Sequence, residues 1–560
     1  MFGRGGIVAC IIAFVSTSVG ASTAGASFAA AGSGAFGGTF GKRSTAPELP
    51  LLPEVRSVNG VAHISLTAAI DPATKLPAFY YLGRSVAPTI RVDPGDTLVI
   101  DYTNNLPAST TPPIDVTNLH THGLLDSPIQ PGDQVIMTAI LPGQTYRYVY
   151  GIPPNQPPGL YWYHPHPHGE TNYQAGSGMS GLIVIEGIEA YAPIVRGLPE
   201  RDIILRDYYL PGHRDPLVRR STPNATLCNP NTPEKGITIN GLPTAKITMQ
   251  PGSRQFFRVA NASSTTFFDL KIPGSRLFVV ANDGVPLSFH DPSVQGQVGD
   301  DVLIPPAGRS EVVVLAPSGA STPLQTGCVD YGPLGEDDPT RNVATIALGT
   351  PLRLHYMRST AAARPAKEPF GDIHSWPIAA HRTVNFSEIA QKGKFLINDK
   401  SYDPDGPAMF VSKTGTVEEW TVSNYAPELH AFHIHQIHFL VEDINGVKQP
   451  PSMWRDMIML PYARTVNGKL QPSVMHLLMD FRDPIVAGTF VFHCHILPHE
   501  DLGMMAKIEV EGTTRPLPTH GFRTGFLTKG EPAICKLPRT FPLCGCNKRA
   551  NTLALAGSHR

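Results

Sequence analysis

Three stretches of this chain repeat one pattern: an apolar strand, a turn built on glycine, and an amphipathic strand that ends in asparagine. They read TIRVDPGDTLVIDYTNN around Gly95, ITMQPGSRQFFRVANAS around Gly252, and MFVSKTGTVEEWTVSN around Gly415. One such stretch is compatible with an isolated hairpin. Three that recur about every 160 residues, the scale of one domain each, indicate an internal triplication. Alternating runs within them, such as Leu98 to Tyr102 and Val417 to Val422, suit antiparallel strands of a sandwich or barrel. With 55 prolines, 52 glycines and few long helical patterns, the expected class is all-β.

The repeats set the expected boundaries. Domain one covers residues 51–188, domain two 201–354 and domain three 376–512, with a linker at 361–369. Residues 1–30 read as an export signal, with Arg4 before an apolar run, Ile7 to Val15, and small residues after it. A Gly/Ala/Ser-rich flexible leader fills 31–50. The apolar run is too short for a stable membrane span, so the mature chain is expected outside the cytoplasm, periplasmic or secreted. The tail, 513–560, lacks periodicity, holds three cysteines and is expected to wrap the body. A net charge of −1 offers no footing for nucleic acid or an anionic membrane. Cys228, Cys328, Cys535, Cys544 and Cys546 can form two disulfides with one thiol left over, in a pairing that sequence leaves open.

The 21 histidines are the compositional anomaly, and twelve of them fall in four motifs, ten as candidate ligands. NLHTHG holds His120 and His122, and YWYHPHPHG holds His164 and His166. ELHAFHIHQIHF holds His430, His433 and His435; FHCHILPHEDLGMM holds His493, Cys494, His495, His499 and Met504. On a strand, HxH spacing puts both imidazoles on one face, where they can chelate a metal. A single HxH is more often a structural pair; four in repeated domains point to metal. In His493-Cys494-His495 the cysteine faces away from its neighbours, so one tripeptide can serve two sites. Cys494 and His499, with a histidine from elsewhere and Met504 as weak axial ligand, match the donor set of a blue-copper site. Domain two has no such pair and is expected to be a spacer. His168 and His438 continue the alternation and are expected to hydrogen-bond nearby rather than ligate. Isolated histidines such as His290 are expected in loops or on the surface. Met453, Met457 and Met459 alternate as strand core would.

In combination, HxHG, HPHxHG, HxxHxH and HCHxxxHxxxxM resemble the motifs of the three-domain multicopper oxidases, which include laccases and bacterial copper-efflux oxidases. The resemblance spans about Leu51 to Gly512. It implies three cupredoxin-like Greek-key domains, each a β-sandwich or barrel, and four coppers per chain. His430, Cys494, His499 and Met504 would hold type 1 copper in the third domain. His120 and His433 would hold type 2 copper. The type 3 pair would take His122, His164 and His495 on one ion and His166, His435 and His493 on the other. Glu500 and Asp133 stand at positions the resemblance marks as proton donors to that cluster. HAFHIHQIH departs from the commoner HPFHLHGH; Ala431 in place of proline keeps the ligand spacing.

The implied activity is laccase-like: one-electron oxidation of phenols or aromatic amines coupled to four-electron reduction of O2 to water. The alternatives are a metallo-oxidase for Cu(I), Fe(II) or Mn(II), with Glu428 as its one candidate rim residue, and a non-catalytic copper-binding scaffold, against which the complete ligand set argues. The partners expected are O2 and a small-molecule or metal-ion reductant, with the chain a monomer.

Overall fold

The computed structural model describes residues 46–109, 115–209, 235–351, 354–357, 370–389, 393–513 and 521–527. The export signal, the leader up to residue 45, the linker and most of the tail lie outside them. The described residues form three pairs of packed sheets in chain order, with only two α-helices among them, Thr171–Ala175 and Leu497–Asp501. None of their helices is long and apolar enough to cross a membrane.

The repeated stretches are not hairpins. In each, the glycine turn passes the chain from one sheet to the other. Thr89–Val92 lies parallel to Glu54–Arg56 and Gly181–Ile185, whereas Thr97–Asn104 lies in the opposite sheet, parallel to Val61–Ile70 and antiparallel to Thr145–Gly151. The second repeat sends Lys246–Met249 alongside Arg341–Leu348 and Arg254–Asn261 alongside Pro199–Tyr209. The third sends Phe410–Lys413 alongside Met505–Glu511 and Thr416–Asn424 alongside Ile378–Ile389. Gly95, Gly252 and Gly415 all have positive φ, at 95°, 68° and 76°, which a tight corner of this kind requires. Crossing between sheets lets the apolar faces of both strands meet across the sandwich. The cores form there: Ile100 with Tyr148 and Ile183, Phe257 with Ile247 and Val312, Val422 with Phe432 and Phe492.

The asparagine that closes each repeat does the same work three times. Asn104 donates through its Nδ2 to the carbonyls of Asp115 and Ile140, at 2.6 and 2.7 Å. Asn261 donates to Thr266 and Ile304, at 2.7 and 2.9 Å, and Asn424 to Glu428 and Pro461, at 2.9 and 3.0 Å. Each Oδ1 accepts the backbone N–H two residues on, from Leu106, Ser263 and Ala426. A buried amide thus ties the end of the strand to the loop that follows. In the first and third repeats that loop leads into His120 and His430.

The tail returns to the first sandwich. Gly525–Phe526 pairs with Arg147 and Tyr146, and the Phe526 ring sits edge-on to Tyr146 at 5.0 Å. This covers the free edge of a strand that would otherwise expose its N–H and C=O groups.

First and third sandwiches meet through the two short helices. Asp501, closing the second, accepts the N–H groups of Thr171 and Asn172 at the start of the first, at 3.2 and 2.8 Å. The second sandwich joins there, where the Leu497 N–H donates to the Ser264 carbonyl.

Candidate metal centre

Two adjoining strand pairs carry the histidines. His120–His122 runs antiparallel to Leu160–His164, with His120 opposite His164. Gly488–Cys494 runs antiparallel to His430–Ile434, with His433 opposite His493. The chain then leaves the strand, and the Leu497–Asp501 helix, with Pro498 in its first turn, folds His499 back over Cys494.

The alternation around Cys494 separates two donor sets. On one side, the Cys494 Sγ lies 3.5 Å from the His430 Nδ1 and 3.8 Å from the His499 Nδ1, and those two nitrogens are 3.2 Å apart. All three residues are buried, and Met504 is buried beside them, its N–H donating to the His499 carbonyl and its carbonyl accepting from the Cys494 N–H. Burial pushes the Cys494 thiol up to about 12, so it stays protonated unless a metal takes the place of the proton. Met457 pairs with His433 in the strand next to His430 and is buried, as strand core.

On the other side, eight buried histidines converge. The Nε2 atoms of His166 and His435 lie 3.2 and 3.3 Å from the Nε2 of His493. His120, His122 and His164 bring ligand atoms within 4.8 Å of one another, and so do His120, His433 and His435. His495 reaches the same wall, its ring 5.1 Å from that of His122 and 5.4 Å from that of His164. The nitrogen turned away from the cluster is held in most rings. His120 Nδ1 meets the Asp133 carboxylate at 2.8 Å, and His122 Nε2 meets Asp456 at 3.2 Å. His164 and His433 turn their Nδ1 atoms to the carbonyls of Pro165 and Asp456. Fixing one nitrogen fixes the tautomer and aims the other. The nitrogens so aimed, His120 Nε2, His122 Nδ1, His164 Nε2 and His433 Nε2, are buried without hydrogen-bond partners among the described residues. Burial is the main cause holding His120, His122, His433, His435 and His495 well below 6.5, as neutral imidazoles. Neutral rings with orphaned inward nitrogens fit a soft or borderline metal, and a thiolate with two imidazoles fits copper.

Multicopper oxidase family models match the chain three times, over residues 65–190, 200–321 and 377–513. The chain belongs to the multicopper oxidase family. It is 26% identical over 441 residues to "Multicopper oxidase mco" of Staphylococcus aureus, covering 77% of this chain and 83% of that one. To "Laccase" of Bacillus subtilis it is 23% identical, covering 78% and 91%. Among solved structures it is similar to a multicopper oxidase from Campylobacter jejuni described as a metallo-oxidase, with TM-score 0.63, 26% identity, and 83% and 94% covered. Multicopper oxidases carry one type 1, one type 2 and two type 3 coppers, and the two donor sets of this chain are consistent with that complement.

Around these histidines lies a layer of buried acids, only part of which the sequence points to. Glu500 sits with one oxygen 3.0 Å from His493 Nδ1 and the other 3.4 Å from His166 Nε2. Burial would raise its carboxyl, but the His166 and His493 imidazoles outweigh that and hold it well below the usual range. Asp133 is raised instead, by burial and by Asp126 next to it, and burial takes Asp126 to about 7. Asp126 accepts the Thr121 hydroxyl at 2.6 Å, and no spacing in the sequence announces it.

Asp456 proves central. It anchors His122 through its side chain and His433 through its carbonyl, and takes both arms of Arg309 at 2.6 and 2.5 Å. Arg309 comes from the second sandwich. The expectation that this domain is only a spacer therefore fails: it supplies the guanidinium that pairs with a histidine-orienting carboxylate in a dry interior. Gly123 belongs to the same contact, since a Cβ there would strike Arg309 and Asp456. His438 donates to, or accepts through, no ligand position; its Nε2 lies 3.2 Å from the Asp283 carbonyl and 3.5 Å from Asp456. His168 packs edge-on against Tyr402, and its Nδ1 finds no hydrogen-bond partner among the described residues, contrary to expectation. His290 lies in a bend, as expected, and is half-buried there: it stacks on Trp454 at 4.1 Å, and burial lowers it to about 3. Cys494 is free and Cys328 is disulfide-bonded; the other five cysteines lie outside the described residues.

Proposed function

We propose that this multicopper oxidase takes electrons singly from phenols or aromatic amines at the Cys494 site and passes them to O2 at the histidine cluster, as laccases do. The observation that carries this reading is the His493-Cys494-His495 tripeptide, whose backbone joins the two donor sets by the shortest covalent route. His430, Cys494, His499 and Met504 would hold type 1 copper, and His120 and His433 type 2. His122, His164 and His495 would hold one type 3 ion, and His166, His435 and His493 the other. Bound copper supplies one-electron acceptance at the first site and four-electron reduction of O2 to water at the second. The protein confines that chemistry to a buried wall and keeps acids beside it: Glu500 at the His166–His493 side and Asp133 at the His120 side, each placed to pass protons inward. The export signal read at residues 1–30 puts this activity outside the cytoplasm.

Electron entry falls to His499, the most exposed of the Cys494-site ligands at 9%. Phe395 stacks on its ring at 4.1 Å, and Tyr425, 41% exposed, opens the loop that leads to His430. A ring stacked on the entry histidine and an exposed tyrosine five residues before His430 favour a flat aromatic donor. A second observation favours a cationic donor: the Glu428 carboxylate lies 3.3 Å from the His499 Nε2, at the point where electrons would enter. A carboxylate there attracts Cu(I) or Fe(II), and the similar Campylobacter jejuni enzyme is described as a metallo-oxidase.

Steady-state O2 uptake decides between them. With the phenolic reading, the enzyme saturates with a dimethoxyphenol, and Glu428→Gln leaves kcat/KM for it within about threefold. With the metal-ion reading, turnover is confined to Cu(I) or Fe(II), and the same variant loses about tenfold or more, equivalent to roughly 1.4 kcal/mol.

A further inference from the structure

Directly after the ligand-bearing His435 stands a residue in a conformation its side chain does not favour. Gln436 has φ 59°, in the left-handed region where a Cβ crowds the backbone. Strain of this kind persists where the surroundings compensate for it. Here the compensation is visible. Gln436 is 2% exposed, and its Nε2 donates to the Asp133 Oδ2 at 2.5 Å and to the Asp126 Oδ1 at 3.3 Å. The amide orientation follows from chemistry, because two carboxylates facing one group require its two N–H donors.

The two acids belong to the first sandwich and Gln436 to the third, on the wall where the eight histidines converge. Asp133 is already committed to His120: the same Oδ2 that takes the Gln436 amide meets the His120 Nδ1 at 2.8 Å, and Oδ1 accepts the Thr121 N–H at 3.1 Å. Asp126 holds the Thr121 hydroxyl. Thr121 lies between His120 and His122, so both acids grip the strand that presents those rings. The His120 ring also stacks on that of His435 at 3.7 Å, with 14° between planes. Without the amide, two buried carboxylates would face each other with one donor fewer each, and Asp133 would be free to swing from His120.

We propose that Gln436 is a positioning residue of the copper cluster: it clamps Asp126 and Asp133 so that Asp133 keeps the His120 ring turned with Nε2 towards the metal. The proposal rests on the reading of His120 as a ligand of type 2 copper. It explains why a side chain is kept at a backbone position suited to glycine.

The test uses the full chain, copper-loaded, as wild type, Gln436→Gly and Gln436→Asn. Glycine relieves the backbone and removes the clamp; asparagine tolerates the same backbone but falls one methylene short, so it answers if the glycine variant folds poorly. Three quantities are read: the type 2 copper EPR spectrum, kcat for O2 uptake, and the anaerobic rate at which a donor bleaches the blue absorption. The expected result is an altered type 2 spectrum and kcat at least tenfold lower in both variants, with bleaching within twofold of wild type. A wild-type spectrum and kcat within twofold in both variants would overturn the proposal. A wild-type protein whose type 2 signal persists unchanged in His120→Ala would overturn the reading beneath it, and the proposal with it.

Discussion

Asp126 and Asp133 show how much a single buried acid can set. Burial makes the Asp126 carboxylate costly to ionise, more than the Thr121 and Gln436 hydrogen bonds offset, so Asp126 holds its proton up to about 7 against an ordinary 3.8. An acid raised by folding is protonated in the native state while the unfolded chain is already ionised, so its contribution falls as pH rises between those values. Asp126→Asn removes that loss. In the copper-free chain it is expected to melt at the same temperature as the parent near pH 4 and at a progressively higher one up to pH 7, with the difference level beyond. Scanning calorimetry across that range checks it; a pH-independent difference would contradict the assignment. At this scale the clustered histidines were legible, because HxH spacing is a local signal. Asp126, Gln436 and Arg309 were not, since each acts through contacts more than a hundred residues away or through a backbone angle that leaves no mark on spacing.

Among elements, the repeated strand, glycine turn and closing asparagine govern the design. Their existence was plain in the sequence, but a turn between two strands looks alike whether it closes a hairpin or carries the chain between sheets. Only the partners of each strand decide, and those partners are far away in sequence. The asparagines are the element's fixed point. Asn104→Ala, Asn261→Ala and Asn424→Ala each remove two hydrogen bonds to loop carbonyls and one accepted from a backbone N–H, so each is expected to cost about 2–4 kcal/mol in chemical denaturation. The three losses should be similar, as the geometry is the same. Asn424→Ala should also weaken the blue absorption, because its amide holds the Glu428 carbonyl beside the His430 strand. An Asn424→Ala variant with full stability would show that water replaces the amide.

The whole molecule is held at the cluster by all three sandwiches. Histidines come from the first and third, and Arg309 of the second neutralises the Asp456 that orients His122. Histidine motifs alone pointed to a passive second domain, because a supporting guanidinium has no motif. Arg309→Leu strands a buried carboxylate and is expected to cost about 3–5 kcal/mol. Arg309→Leu with Asp456→Leu should regain much of that stability yet retain less copper, since His122 and its tautomer lose their anchor. Thermal denaturation with copper analysis of the single and double variants separates the two effects. Equal copper content in the double variant and the parent would show that Asp456 is structural only.

The central claim is that one tripeptide couples electron entry to O2 reduction, and O2 uptake by the copper-loaded chain tests it most directly. With a one-electron donor, the account predicts one O2 consumed per four donor molecules, without released peroxide. It predicts no uptake in Cys494→Ser, even though the histidine cluster of that variant still binds copper. Uptake that survives in Cys494→Ser, or a yield of peroxide in place of water, would contradict it.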